Sequence, residues 1–307
     1  MIIGTTGVLV NGSGKVLLIQ RDDTRTFAPP GGGLEAGELP TEGVVREVRE
    51  ETGLIVMPVR LVGVFFSRRE PDSLLIMMFR CLQRGGDIET SEESLSVGFY
   101  PTHDLPRPMT RLHRERLTSV LQHKELDSFW EEQPLRWVEQ AGMTVLRRVI
   151  YPYKDWQRQR HGQQPHVSAA RWDVGAFVVI QNEVGAVLWV KRTDMEAWNL
   201  PGGGGEQGEA PWETAVREAY EETNLHVKLD RLGCINVYHN EAGIVFTFIA
   251  TIESGQLQTG PEAAEFAWFV PGAEPKNCFP QHIERVTDAQ NAEMIFRHQD
   301  SKIHLGQ

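Results

Sequence analysis

Glu47, Glu50 and Glu51 stand at spacings i, i+3 and i+4, and Glu218, Glu221 and Glu222 repeat the arrangement. On a helix those positions share one face. Carboxylates gathered so closely repel, and each raises the pKa of the others. A hard divalent cation relieves the repulsion, and an all-oxygen donor set suits Mg²⁺ or Mn²⁺. Glu38 and Glu209, nine residues before each set, can add a ligand or anchor the preceding loop. Arg46 lies four residues before Glu50, and Arg217 four before Glu221. That spacing allows an ion pair that orients one carboxylate. Taken alone, a Glu-rich run is an ordinary solvated helix face, so the case rests on what surrounds it.

The pattern predicts a helix over 41–52 and another over 212–223. Val44, Val45 and Val48 in one, and Ala215, Val216 and Ala219 in the other, recur at helical spacing on the side away from the carboxylates. Gly53 and Asn224 follow as stop signals, since both tolerate the left-handed conformation that ends a helix. Before each helix comes a glycine run, Gly31–Gly33 or Gly202–Gly204, read as a loop. Strands are expected at 16–19, 56–66 and 74–82, with counterparts at 187–190, 227–238 and 244–252. The two sets belong to one repeat. Shifted by 171 positions, residues 14–54 lie on 185–225 without a gap, with 21 of the 41 aligned residues identical. So long a period means two whole domains, placed at 1–124 and 171–307.

Residues 125–170 match neither copy. Arg136, Arg147, Arg148, Lys154, Arg158 and Arg160 make this connector basic, and Trp130, Trp137, Tyr151, Tyr153 and Trp156 make it aromatic. Leu135, Val138, Val145, Leu146 and Ile150 are expected to form an apolar helix face packed on a domain; the alternative is that the connector's Arg residues help to hold substrate or set the angle between domains. The polar stretch 158–166 reads as a loop, and His161 and His166 show no metal-ligand pattern. The chain of 307 residues has a formal charge of −11, which weakens attraction to nucleic acid backbones and anionic membranes. No apolar run approaches the ~20 residues needed to span a bilayer. Cys81, Cys234 and Cys278 are widely spaced and suit a reducing compartment, so a cytoplasmic location is expected.

The pieces stand at fixed spacing: Gly32, five residues, Glu38, seven residues, then Arg46-Glu47-Val48-Arg49-Glu50-Glu51-Thr52-Gly53-Leu54. The second copy reads Gly203, Glu209, then Arg217-Glu218-Ala219-Tyr220-Glu221-Glu222-Thr223-Asn224-Leu225. This pattern resembles the Nudix box, the signature of the Nudix hydrolase family, and it occurs twice in register. The second copy departs only at Asn224, where the family has Gly. The resemblance implies an α/β (α+β) protein of two α/β/α sandwiches with mixed β-sheets. It also implies Mg²⁺- or Mn²⁺-dependent hydrolysis of the diphosphate linkage in nucleoside diphosphate derivatives.

Carried over, Glu47, Glu50 and Glu51 bind metal in the first domain, and Glu218, Glu221 and Glu222 in the second. One carboxylate acts as the base, and Arg46 and Arg217 orient the others. Glu93 and Glu262, six residues before Phe99 and Trp268, are further candidates for base or ligand. Backbone groups at Gly32, Gly33, Gly203 and Gly204, with Arg21 and Arg192 at matching strand ends, are candidates to contact substrate. Phe27 and Trp198 precede the glycines and either stack on a base or plug the sheet–loop junction. Pro71 lies near, but not in, the register associated with ADP-ribose-type members. Three readings stand at this point: two active domains, one catalytic domain with a ligand-binding or structural pseudo-dimer partner, or a nucleotide sensor. The intact carboxylates in both copies favour catalysis.

Overall fold

The computed structural model describes residues 1–146, 148, 152, 153, 156, 160, 169–239 and 241–300. Its first half runs β1 (Ile2–Leu9), β2 (Lys15–Arg21), β3 (Phe27–Ala28), β4 (Gly31–Gly33), α1 (Pro40–Thr52), β5 (Ile55–Ser67), β6 (Leu74–Gly85), β7 (Ser94–Pro101), α2 (Arg111–Gln122) and β8 (Phe129–Glu132). After α3 (Trp137–Val145), the second half repeats the series as β9 (Asp173–Ile180), β10 (Val187–Arg192), β11 (Trp198–Asn199), β12 (Gly202–Gly204), α4 (Pro211–Thr223), β13 (Leu225–Tyr238), β14 (Gly243–Gly255), β15 (Ala263–Phe269), α5 (Pro280–Ala289) and β16 (Ile295–Gln299). Each half is an α+β unit of two sheets. A mixed five-stranded sheet has the order β4-β1-β6-β5-β8, repeated as β12-β9-β14-β13-β16. An antiparallel three-stranded sheet has the order β3-β2-β7, repeated as β11-β10-β15.

Both box helices begin and end as their sequences dictate. Pro40 and Pro211 stand in the first turn, where the missing N–H costs nothing. The Leu39 N–H donates to Glu42 and the Ala210 N–H to Glu213, each at 2.9 Å, closing the helix starts. Gly53 (φ 74°) and Asn224 (φ 59°) both take the left-handed cap, so the departure at Asn224 leaves the helix end unchanged.

Three local expectations are corrected. The glycine runs are not loops. They form the edge strands β4 and β12, paired antiparallel with β1 and β9 (Gly4↔Gly33, Gly203↔Ala176), because residues without Cβ can lie close against a neighbouring strand. Residues 129–132, placed above in the connector, form β8, which pairs in parallel with β5 and carries the first sheet beyond residue 124. Its counterpart is β16, paired in parallel with β13. Finally, the apolar connector face is only partly covered: Leu135 and Leu146 are half-buried, while Val138 and Val145 of α3 are exposed. The helix is held by charge instead, through Arg111 gripping both oxygens of Glu139 at 2.9 and 2.8 Å. Arg147, Ile150, Tyr151, Lys154, Arg158, His161 and His166 lie outside the described residues.

The halves meet along a seam with reciprocal contacts. Met1 and Trp172, counterparts in the repeat, exchange hydrogen bonds: the Met1 amine donates to the Trp172 carbonyl at 3.1 Å, and the Trp172 N–H to the Met1 carbonyl at 2.7 Å. The Trp172 indole N–H reaches the Leu34 carbonyl at 3.4 Å. Registers make Trp130 and Phe296 counterparts, and likewise Phe79 and Phe248. Trp130 packs edge-on against Phe248 at 5.3 Å, while Phe296 packs on Phe79 at 5.5 Å. One apolar cluster runs from Ile3 and Leu75 through Trp172 to Phe246 and Phe248. Cys81, Cys234 and Cys278 are buried and unbridged, and burial pushes each thiol up to about 12. No described helix is long and apolar enough to cross a membrane.

Trp172 is 2% exposed at this seam. Replacing it with Ala should destabilise the chain by about 3–5 kcal/mol, as for other large buried aromatics. Urea unfolding should still show both halves losing structure together. Two separated transitions in the unsubstituted chain would refute the shared core.

Candidate active site

Each box helix turns two of its carboxylates, Glu47 and Glu51 or Glu218 and Glu222, toward the glycine strand. In the first half, Arg46 lies among them. Its Nε and Nη2 grip both oxygens of Glu38 at 2.8 and 2.9 Å, and Nη1 donates to Glu47 at 2.8 Å and Glu50 at 3.3 Å. Nη2 also donates to the Gly33 carbonyl at 3.0 Å. Arg217 repeats every contact: Glu209 at 2.9 and 3.0 Å, Glu218 at 2.8 Å, Glu221 at 2.9 Å and the Gly204 carbonyl at 3.1 Å. Hydrogen bonds to Glu38 and Glu209 hold these guanidiniums above their ordinary pKa. Glu38 also accepts the Glu35 N–H, and Glu209 accepts the Glu206 N–H and the Thr214 hydroxyl. Both loop carboxylates are thus tied into the loop–helix joint. Glu50 and Glu221 point outward, with side chains 60% and 57% exposed.

The inner carboxylates are sunk against backbone. A Cβ on Gly32 would fall 2.5 Å from a Glu47 oxygen, and one on Gly203 would fall 2.8 Å from the Glu218 carboxylate. Only glycine admits that approach. Glu51 accepts the Gly31 N–H at 2.7 Å and Glu222 the Gly202 N–H at 3.0 Å. Burial pushes both up to about 8 against those hydrogen bonds, with Glu47 and Glu93 adding repulsion at Glu51, and Glu218 and Glu262 at Glu222. Burial likewise raises Glu47 and Glu218, despite the pull of Arg46 and Arg217.

The downstream glutamates therefore come into electrostatic reach of the box carboxylates, from the residues just before β7 and β15. Arg21 and Arg192 also act on this cluster, since each draws down the inner glutamate of its own half. Both are braced: Arg21 by Asp23 at 2.9 and 2.8 Å, Arg192 by Asp194 at 2.8 and 2.6 Å. The Arg-x-Asp signal for these braces stands in both copies, yet reading the box alone passes over it. Ser94 is another omission; its hydroxyl donates to the Glu51 carbonyl at 2.6 Å and ties the helix end to β7. Phe27 and Trp198 are plugs. They pack edge-on against Tyr100 and Phe269, each at 5.3 Å.

The donor set is entirely hard oxygen. Glu51 and Glu222 are buried carboxylates whose bonding partner among the described residues is in each case one neutral N–H, so the charge they lack is positive. That chemistry fits Mg²⁺ or Mn²⁺. Among the described residues, no three or more such side chains already stand close enough together to hold a metal ion. A cleft of about 790 Å³ opens beside the first helix, lined by Glu38, Thr41, Arg46, Arg49, Glu50 and Pro58 among others.

Comparison with known proteins matches the NUDIX domain model at residues 2–121 and 171–288. A MutT-like protein of Streptomyces ambofaciens is 36% identical over 119 residues, covering 39% of this chain and 76% of that protein. A putative 8-oxo-dGTP diphosphatase of Bacillus subtilis is 37% identical over 120 residues, covering 38% of this chain and 79% of that protein. An ADP-ribose pyrophosphatase of Methanocaldococcus jannaschii is 36% identical over 104 residues, covering 32% and 62%. With a domain match on each half and the same arginine–carboxylate geometry in both, the chain belongs to the Nudix hydrolase family and carries its domain in tandem.

Proposed function

We propose that both halves are active sites that use Mg²⁺ or Mn²⁺ to hydrolyse the diphosphate linkage of nucleoside diphosphate derivatives. The observation that carries this reading is the duplication itself. Arg217 reproduces the five contacts of Arg46 to within a few tenths of an ångström. A half retained only for binding or packing has no need of that network. The reciprocal seam supports a second element of the proposal, that the two domains form an intramolecular pseudo-dimer. The substrate is a small nucleotide, and 8-oxo-dGTP and ADP-ribose are the first candidates because relatives bear those names. No nucleic acid or membrane partner is proposed. Buried, unbridged cysteines support a cytoplasmic location.

In this reading Glu47, Glu50 and Glu51 hold the cation, as do Glu218, Glu221 and Glu222. When bound, the cation neutralises phosphate oxygens and acidifies a water. The chain's own residues do the rest. Glu38 and Glu209 serve as anchors, fixing Arg46 and Arg217, which aim the helix carboxylates. Glu47 or Glu93 in one half, and Glu218 or Glu262 in the other, takes the proton of the attacking water. Arg21 and Arg192, held by their aspartates, offer positive charge to a phosphate oxygen. Gly32, Gly33, Gly203 and Gly204 let substrate and carboxylates approach the backbone closely.

Glu50→Gln and Glu221→Gln should each lower the activity of its own half by on the order of a hundredfold or more, leaving the other half working. Phosphate release over a nucleotide panel, with each half silenced in turn, checks this. A doubly substituted chain that kept full Mg²⁺-dependent hydrolysis would overturn the assignment.

The buried glutamates set a pH dependence. Glu51 and Glu222 rise from an ordinary 4.5 to about 8 in the folded, metal-free chain. Between those values the folded state binds protons that the unfolded state does not, so metal-free stability should fall as pH rises from about 4.5 to 8. Metal requires the ionised form, so affinity for Mn²⁺ should climb through the same window and level off above it. Calorimetric titration at pH 6, 7, 8 and 9 tests the claim; an affinity that does not change with pH would contradict it.

A further inference from the structure

The two sites are not supported equally from across the seam. Arg68, immediately after β5 in the first half, crosses to the second. Its Nη1 donates to the Gly208 carbonyl at 2.6 Å, and Nη2 contacts the Glu213 carboxylate. Its Nε donates to Glu132 of β8 at 2.8 Å, which holds the guanidinium in place. The group sits over the Phe66 ring, which packs edge-on against Trp212 at 6.0 Å. These are two of the points that locate the second box. Gly208 is in the left-handed region (φ 83°) and immediately precedes Glu209, the anchor of Arg217. Glu213 closes the start of α4 through the Ala210 N–H. A cleft of about 620 Å³ along this seam is walled by Arg68 on one side and by Trp212 and Arg217 on the other.

The repeat puts different residues at the reciprocal place. His239 stands where Arg68 does, His298 where Glu132 does, and Glu42 where Glu213 does. His298 Nε2 lies 3.7 Å from Glu42, and His239 stacks on His298 at 4.7 Å. Thr41 and Val237 replace the Trp212 and Phe66 rings. Among the described residues, the first box thus meets an imidazole at its helix start, where the second meets a guanidinium spanning helix start and loop.

We propose that Arg68 is a positioning residue for the second active site. The route runs from Arg68 through the Gly208 carbonyl and Glu213 to the joint held by Glu209, and so to Arg217, Glu218 and Glu221. A bidentate group can fix two points at once, which a single imidazole contact does not. Hydrolysis in the second half therefore depends on the first half's fold, while the reverse dependence is weaker. This rests on the catalytic reading above, and its test is chosen so that either can fail alone.

In the full chain, Arg68→Ala should raise hydrogen exchange of backbone amides 202–213 by on the order of tenfold while leaving 31–42 unchanged. Arg68→Lys, which keeps one charged donor, should fall between. In a Glu50→Gln chain, with 8-oxo-dGTP and ADP-ribose as probes, Arg68→Ala should lower kcat on the order of ten- to a hundredfold with little change in KM. In a Glu221→Gln chain it should leave hydrolysis unaltered. Unchanged exchange at 202–213, or equal effects in both halves, would overturn the assignment. If the unsubstituted chain hydrolysed neither probe, the catalytic reading would lose its support, while the exchange comparison would still decide the role of Arg68.

Discussion

A guanidinium clamped between a loop carboxylate and a helix is the constraint from which the rest of each half follows. Arg46 and Arg217 are planar, and their five donors are shared among a carboxylate grip, two further glutamates and a glycine carbonyl. Such a fork sets angle as well as distance, which an ammonium on a flexible stem would not. The glycine strand must then lie where its carbonyl meets the arginine, and the helix must start where the loop anchor allows. The sheet edge, the glycine run and the helix register are parts of one solution.

That solution concentrates negative charge in a place with little water. Glu51 and Glu222 are 3% and 7% exposed, and among the described residues each receives one backbone N–H. Burying a carboxylate this way is unfavourable unless it binds a proton or a cation. The fold leaves that charge without a fixed positive partner, which is the local cost that, in the reading proposed above, a bound cation would relieve. Stability comes from elsewhere, chiefly the shared apolar core around Trp172.

The local geometry of the candidate site was largely legible in the sequence because its signals are short-range. The i, i+3, i+4 glutamates, the arginine one turn away and the stop residues all act within a single helix and its loop, so spacing alone specifies their geometry. Asn224 illustrates this: its tolerance of a left-handed backbone was readable from residue type, and its φ agrees. What spacing did not yield depends on distant partners. β8 and β16 are short strands that exist because β5 and β13 offer parallel edges, and Phe129–Glu132 alone carries little pattern. The glycine strands read as loops because glycine lacks strand propensity, and only the facing β1 and β9 reveal their pairing. Exposed Val138 and Val145 in α3 mislead in the opposite sense, since an apolar spacing cannot show whether anything covers it.

The exchanged contacts at the seam have a consequence for change over time. In a dimer of identical chains, a residue near the twofold axis meets the environment of its own copy, so every substitution lands twice and must suit both places. Joining the two copies in one polypeptide removes that restriction. Trp130 and Phe296 occupy equivalent positions with different ring sizes, and an arginine at 68 coexists with a histidine at 239. Each side of the joint is free to vary singly, so the two halves can drift toward separate duties while still sharing one core.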